Sequence, residues 1–183
     1  MHCPRMKRQM NPGTALVPCP VVLLTVAGKD RPNIITLSWV ANVCSKPPTI
    51  VAGIRPERYS YNLVKEAGEF VLNIPSSEQI KGTEFAGTKS GRDYDKFSEG
   101  EFTPEPATKV NAPMIKECPI NIECKTTQII PLGAHDLFIA EVVAVHIDES
   151  KLDEKGRFDP SKTTLFTYLP LNGQYWALGK RIS

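Results

Sequence analysis

The sequence lacks both a dominant sign of charge and a hydrophobic run long enough to cross a bilayer. Its 183 residues carry 22 Lys and Arg against 20 Asp and Glu, a net charge of +2. That balance argues against affinity for nucleic-acid phosphates or an acidic membrane surface. The longest apolar stretch, residues 137–147, is interrupted by Glu141 and His146 and is too short for a membrane span. No apolar stretch directly follows the basic N-terminus, so we expect a cytoplasmic protein without nucleic-acid or membrane partners.

Cysteine and histidine are too few and too scattered for a metal centre or a disulfide framework. The five cysteines stand at positions 3, 19, 44, 118 and 124 without a Cys-x-x-Cys pair, and the three histidines share no ligand spacing. We therefore expect reduced thiols and no bound metal. The phosphate-loop, dinucleotide-fingerprint, nucleophile-elbow and His-Glu-x-x-His motifs are also missing. If this chain performs chemistry, we expect a cofactor to carry it.

Proline is abundant instead, at 16 residues, which favours short segments joined by rigid turns. Apolar runs bounded by turn residues predict strands, and spacing near 3.6 with capping residues predicts helices. The predicted strands cover residues 21–27, 33–40, 49–54, 69–74, 120–125, 137–147, 164–169 and 174–178, and the predicted helices cover 58–67 and 76–85.

This order of elements predicts one mainly β domain over residues 1–183, a closed antiparallel barrel with a few short helices. Residues 1–11 are expected to form a loose N-terminal arm. Apart from Glu141 and His146, residues 137–147 are apolar on both faces of the predicted strand. This pattern is expected if one face lines the barrel and the other packs against a second subunit.

Four segments hold candidate site residues. Residues 36–44 combine hydroxyl side chains with Trp39, which suits a planar heteroaromatic ligand or, alternatively, a strand end with a buried Trp. Residues 55–63 place two arginines before a helix start, which suits a phosphate or a solvated turn capped by Ser60. Residues 89–97 suit an anion clamp or a surface turn with Arg/Asp pairing. A histidine at position 135 is either a site residue or a turn residue bonded to backbone.

Several of these segments resemble, in the same order, the flavin reductase-like family, in particular its flavoredoxin and archaeal ferric reductase branch. The resemblance covers about residues 12–183 and is specific because its pieces occur together in register. The pieces that carry it are Pro18-Cys19-Pro20, Thr36-Leu37-Ser38-Trp39, Pro47-Pro48, Arg55-Pro56, Tyr59-Ser60-Tyr61-Asn62, residues 90–97, Glu117-Cys118-Pro119 and Gly133-Ala134-His135.

The resemblance implies an FMN-binding split β-barrel, a noncovalent FMN and a homodimer with the flavin near the subunit interface. The residues that it assigns to the isoalloxazine ring are Thr36, Leu37, Ser38, Trp39, Ala41, Asn42 and Cys44. Those that it assigns to the phosphate and ribityl end are Arg55, Arg58, Ser60, Ser90, Arg92 and Lys96, and Asn62 is a further cofactor-binding residue.

Two residues are candidates for a catalytic role by the same resemblance. His135 is expected beside the ring. The resemblance leads us to expect Gly-Asp-His in many relatives, and here Ala134 replaces the acid, so the expected role of His135 is weaker if that acid orients the histidine. Cys44 is either an electron-relay thiol or a small apolar wall.

The expected function is that of an FMN-dependent oxidoreductase, which passes electrons from a reduced nicotinamide through FMN to a flavin, a ferric chelate or a protein. Two alternatives stay open. One is a flavoredoxin-type electron-transfer protein that does not use NAD(P)H directly, and the other is a non-catalytic FMN-binding protein.

Overall fold

The computed structural model describes residues 6–182. The strands are β1 (Val22–Val26), β2 (Asn33–Leu37), β3 (Val40–Ser45), β4 (Pro48–Ile54), β5 (Glu69–Ile74), β6 (Pro104–Glu105), β7 (Met114–Ile115), β8 (Ile120–Pro131), β9 (Asp136–Ile147), β10 (Phe166–Leu169) and β11 (Gln174–Ala177). The α-helices are α1 (Tyr59–Ala67), α2 (Ile80–Thr88) and α3 (Lys96–Glu99), and 3-10 turns occur at Ser77–Gln79, Glu149–Lys151 and Pro160–Lys162.

Seven antiparallel strands form the central sheet, in the order β2-β1-β5-β8-β9-β4-β3. The two outermost strands, β2 and β3, follow each other in the chain and are joined only by Ser38 and Trp39. The sheet therefore curls, and β2 contacts β4 across it. The mainly β prediction is confirmed. No hydrogen-bonded ladder between β2 and β3 is found within residues 6–182, so closure of the barrel stays a prediction.

Both faces of β1 are buried, which explains its unbroken apolar sequence. Val22, Leu24 and Val26 lie in the main core inside the curled sheet, together with fully buried Phe70 and Phe138. The opposite face is covered by α2, α3 and the segments around β7, and Leu23 belongs to that second core. Each large side chain buried in this way contributes about 1.5–3 kcal/mol to folding.

Three predicted boundaries were wrong. The helix expected over residues 76–85 is a 3-10 turn at Ser77–Gln79 followed by α2 over Ile80–Thr88. The expected strand 33–40 ends at Leu37 and a separate strand, β3, follows it; β3 is an exposed edge strand, so it carries no apolar alternation that would predict it. The β8 strand continues beyond the predicted residues 120–125 to Pro131. Strand β9 is only partly covered by this chain, and Val145 near its end is 55% exposed.

A buried carboxylate, which the sequence analysis did not predict, fixes the segment before β7. Glu123 on β8 is fully buried and accepts hydrogen bonds from the backbone N–H groups of Thr108, Lys109 and Val110 and from His146 Nε2 at 2.6 Å. Burial raises the pKa of Glu123, but the donors from Thr108, His146 and Lys109 outweigh burial and lower it to about 2. The group is thus an ionised anchor for this segment at neutral pH.

Residues 6–11 are exposed and belong to no helix or strand, and the first five residues of the predicted arm lie outside the described residues. Between residues 6 and 182, no helix has the length and apolar character to span a membrane.

Candidate functional site

A cleft of about 800 Å³ opens where β2 ends and the chain turns into β3. One wall comes from α2 and the other from the hairpin of β10 and β11. The lining residues are Ile35, Thr36, Leu37, Ser38, Trp39, Gly53, Arg55, Arg58, Lys81, Glu84, Phe85, Gly87, Thr88, His135, Tyr168, Gly173 and Tyr175.

The floor of the cleft is held by contacts between β2, β4 and α2. The Thr36 hydroxyl donates to the carbonyl of Thr83 at 2.6 Å, and the Gly53 N–H donates to the carbonyl of Trp39 at 2.8 Å. A Cβ on Gly87 would lie 3.2 Å from Thr36 Cβ, so the lack of a side chain at Gly87 lets α2 approach β2 closely. Trp39 is 41% exposed and faces the cleft, so the alternative of a buried Trp was wrong.

His135 lies against Trp39, with ring centroids 4.2 Å apart and a tilt of 43°. Arg55 Nε donates to His135 Nε2 at 3.3 Å, and Arg55 Nη1 is 3.3 Å from Glu57 Oε1. The accepting Nε2 carries no proton, so the neutral ring holds its proton on Nδ1. Burial lowers the pKa of His135, as does the positive charge of Arg55, which favours this neutral form.

A smaller cavity of about 150 Å³ adjoins the cleft and shares with it Ile35, Arg58, Gly87 and Thr88. It lies between the start of α1, the end of α2 and the loop that follows α2. The residues that line only this cavity are Glu57, Tyr59, Ser60, Ala86, Lys89, Ser90, Gly91, Arg92 and Lys96. Four cationic side chains and one carboxylate therefore surround it, which makes it electropositive.

Helix α1 begins at this cavity without a capping side chain. Its N-cap is Arg58, whose side chain makes no capping hydrogen bond, and its first turn contains no acidic residue. The alternative in which Ser60 caps the helix was wrong, because Ser60 lies inside the first turn and its Oγ accepts a hydrogen bond from Asn33 Nδ2 at 2.7 Å. The first N–H groups of a helix carry a partial positive charge and attract an anion.

Lys96 closes the base of the smaller cavity. Its ammonium donates to the carbonyls of Ile34 at 2.9 Å and Ala86 at 2.7 Å, and the side chain is only 4% exposed. Burial lowers the pKa of Lys96 to about 8, and the nearby charge of Arg58 contributes to this. The loop after α2 also places Arg92 over the Tyr59 ring, 5.7 Å from its centroid.

A sequence model of a protein family, the flavin reductase like domain, matches residues 14–174 of this chain. The chain belongs to this family. Its structure superposes on the flavoredoxin of Desulfovibrio vulgaris with a TM-score of 0.92 and 34% identity, covering 97% of this chain and 96% of that one. An FMN-binding protein from Thermus thermophilus gives a TM-score of 0.82 at 25% identity, covering 100% and 99% of the two chains. An NADPH-flavin oxidoreductase from Streptomyces viridifaciens is 28% identical over 138 residues, 74% of this chain and 70% of the relative.

Most residues that the family resemblance assigns to a flavin meet in these two cavities. Thr36, Leu37, Ser38, Trp39 and His135 line the large cleft; Ser60, Ser90, Arg92 and Lys96 line the small cavity; Arg55 lines the cleft and Arg58 lines both.

Four assigned residues line neither cavity. Ala41, Asn42 and Cys44 lie on the exposed edge strand β3, which leads away from the cleft after Trp39, and Asn62 lies on the exposed side of α1. The Cys44 thiol donates instead to the carbonyl of Lys46 at 3.3 Å. Their contact with a flavin stays a prediction.

Two walls of the cleft were missed by sequence reasoning. Lys81, Glu84 and Phe85 come from α2, whose presence was predicted but whose packing on β2 was not. Tyr168 and Tyr175 come from the last hairpin, and only the pairing of β10 with β11 brings their rings to 5.4 Å from each other.

The Arg55–His135 contact gives a testable pH dependence. We expect the imidazole of His135 to titrate below the ordinary value of about 6.5, and Arg55→Met to raise its pKa because the neighbouring positive charge is removed. NMR titration of the His135 ring signals measures both values. Arg157→Met, which removes an exposed guanidinium in the excursion after β9, is the matched control. A pKa of His135 unchanged by Arg55→Met would show that the two side chains do not interact in solution.

Proposed function

We propose that this protein binds FMN noncovalently and acts as an FMN-dependent oxidoreductase that takes electrons from a reduced nicotinamide and passes them to an acceptor. The observation that carries the proposal is the junction of a large cleft with a small electropositive cavity. An elongated ligand with a flat head and a dianionic tail fits this shape and this distribution of charge. Membership of the flavin reductase-like family and the FMN-binding relative support the same ligand.

The small cavity fits the phosphate. A phosphate monoester is close to dianionic at neutral pH and takes charge-assisted hydrogen bonds, each of about 1.5–3 kcal/mol. Arg58 and Arg92 supply guanidinium donors there, and the uncapped start of α1 supplies backbone N–H groups. The Ser60 hydroxyl is buried, lines the same cavity and adds a further hydrogen-bond donor for the phosphate.

The large cleft fits the ring and leaves room for a second substrate. Trp39 and His135 offer flat apolar surface, while Thr36 and Ser38 place hydroxyl groups and backbone along the edge. When bound, FMN supplies hydride acceptance and electron release. The residues of the cleft would orient the ring. His135 is neutral, with its proton on Nδ1, and its Nε2 accepts the hydrogen bond from Arg55.

Electron transfer without direct use of NAD(P)H is the second candidate, favoured by the similarity to the flavoredoxin. We further propose a homodimer in which a second copy covers apolar side chains that this chain leaves exposed, including Val43 on β3 and Val145 on β9, which are 54% and 55% exposed.

Loss of the tail-binding cations should release FMN. We expect the double variant Arg58→Ala/Arg92→Ala to bind FMN at least about tenfold more weakly, because both guanidinium groups that line the small cavity are removed. Riboflavin, which lacks the phosphate, should lose much less affinity. Flavin fluorescence titration measures both constants, and Lys151→Ala/Arg157→Ala is the control for the loss of two positive charges. Retention of yellow colour by the double variant through gel filtration contradicts the assignment.

The electron donor is tested by mixing the FMN-loaded protein with NADH or NADPH under nitrogen. We expect the visible absorption of the flavin to bleach in a stopped-flow experiment, at a rate that rises with nicotinamide concentration. Bleaching by dithionite but by neither nicotinamide would exclude direct use of NAD(P)H, and onward transfer of the electrons to an acceptor would then indicate the flavoredoxin-type function. A protein that is reduced but transfers electrons to no acceptor would be a flavin-binding protein without turnover.

A further inference from the structure

One buried side chain, which does not itself line the small cavity, contacts the segments that form its walls. Asn33, the first residue of β2, is 4% exposed and lies where β2, the start of α1 and the loop after α2 meet. Its Nδ2 donates to Ser60 Oγ at 2.7 Å, and its Oδ1 faces Gly91 so closely that a Cβ there would collide with it. Arg31 reinforces the junction, because its Nη2 donates to the carbonyl of Gly91 at 3.2 Å.

The hydrogen bond from Asn33 determines what the Ser60 hydroxyl can do. A hydroxyl has one proton to donate, and here its oxygen is already the acceptor for an amide. Ser60 is 2% exposed, lines the small cavity, and has no acceptor for its own proton among the hydrogen bonds of residues 6–182. A buried donor without an acceptor is costly, so an anion in the cavity is stabilised by receiving it.

We propose that Asn33 is a positioning residue that fixes the polarity of the Ser60 hydroxyl, so that its proton points to a phosphate monoester in the small cavity. The inference rests on the proposed function, since FMN supplies that phosphate. It also gives a reason for an amide at position 33. A carboxylate of the same shape would accept the Ser60 proton and turn it away from the ligand.

The test compares FMN with riboflavin in four proteins: the wild type, Asn33→Asp, Ser60→Ala and the double variant. Each dissociation constant is measured by flavin fluorescence, and thermal unfolding and circular dichroism verify the fold. We expect Ser60→Ala to weaken FMN about tenfold and Asn33→Asp to weaken it more, with riboflavin nearly unchanged in both.

The double-variant cycle separates the orientation of the proton from the added charge. The negative charge introduced by Asn33→Asp repels the phosphate whether or not Ser60 is present, whereas the reversal of the hydroxyl requires Ser60. We therefore expect Asn33→Asp to cost about tenfold less FMN affinity in the Ser60→Ala background than in the wild type. Asn11→Asp, in the exposed N-terminal segment, is the control for net charge.

Equal effects of Asn33→Asp in both backgrounds would overturn the inference, as would equal losses of FMN and riboflavin, which indicate a structural role only. In either case a wild type that prefers FMN to riboflavin leaves the proposed function standing. A wild type that binds neither flavin overturns the proposed function, and the inference with it.

Discussion

The clustering of positive charge around one small cavity is the constraint on which the site depends. Arg58, Lys89, Arg92 and Lys96 surround about 150 Å³ together with the uncapped start of α1, and only Glu57 opposes them among the lining residues. Like charges brought together around one small cavity repel one another unless an anion lies between them. The lowered pKa of Lys96, about 8, reflects burial and this crowding by Arg58. A dianionic ligand group therefore stabilises an arrangement that is unfavourable by itself.

Strand β2 connects this cavity to the large cleft. Its first residue, Asn33, orders the small cavity, Lys96 binds its backbone at Ile34, and Thr36 fastens α2 to its other end. The strand itself, from Asn33 to Leu37, extends about 13 Å. A single strand thus connects the phosphate-binding groups to the aromatic surface, and it pairs with β1, which is buried on both faces.

How much could be predicted from the sequence varied with how local the signal was. Strands β1 and β5 are apolar runs that end at turn residues, and Ser76 caps the helical turn that follows it. Each of these signals lies within the element that it predicts, so the positions of these elements were predicted well. The edge strand β3 is exposed along its length and has no such signal. The cationic segments that contain Arg58 and Arg92 were recognised, but their convergence depends on sheet topology, which no local pattern encodes. The aromatic wall of Tyr168 and Tyr175 and the role of Asn33 were missed for the same reason, because each arises from contacts between residues distant in sequence.

The most direct measurement of the central claim is a crystal structure of this protein with FMN. The account predicts the phosphate in the small cavity, within hydrogen-bond distance of Ser60 Oγ and the first N–H groups of α1, with the ring in the large cleft next to Trp39. A phosphate at the open end of the cleft near Lys81 would contradict it. So would a structure in which the small cavity is empty or closed by side chains while the flavin binds elsewhere.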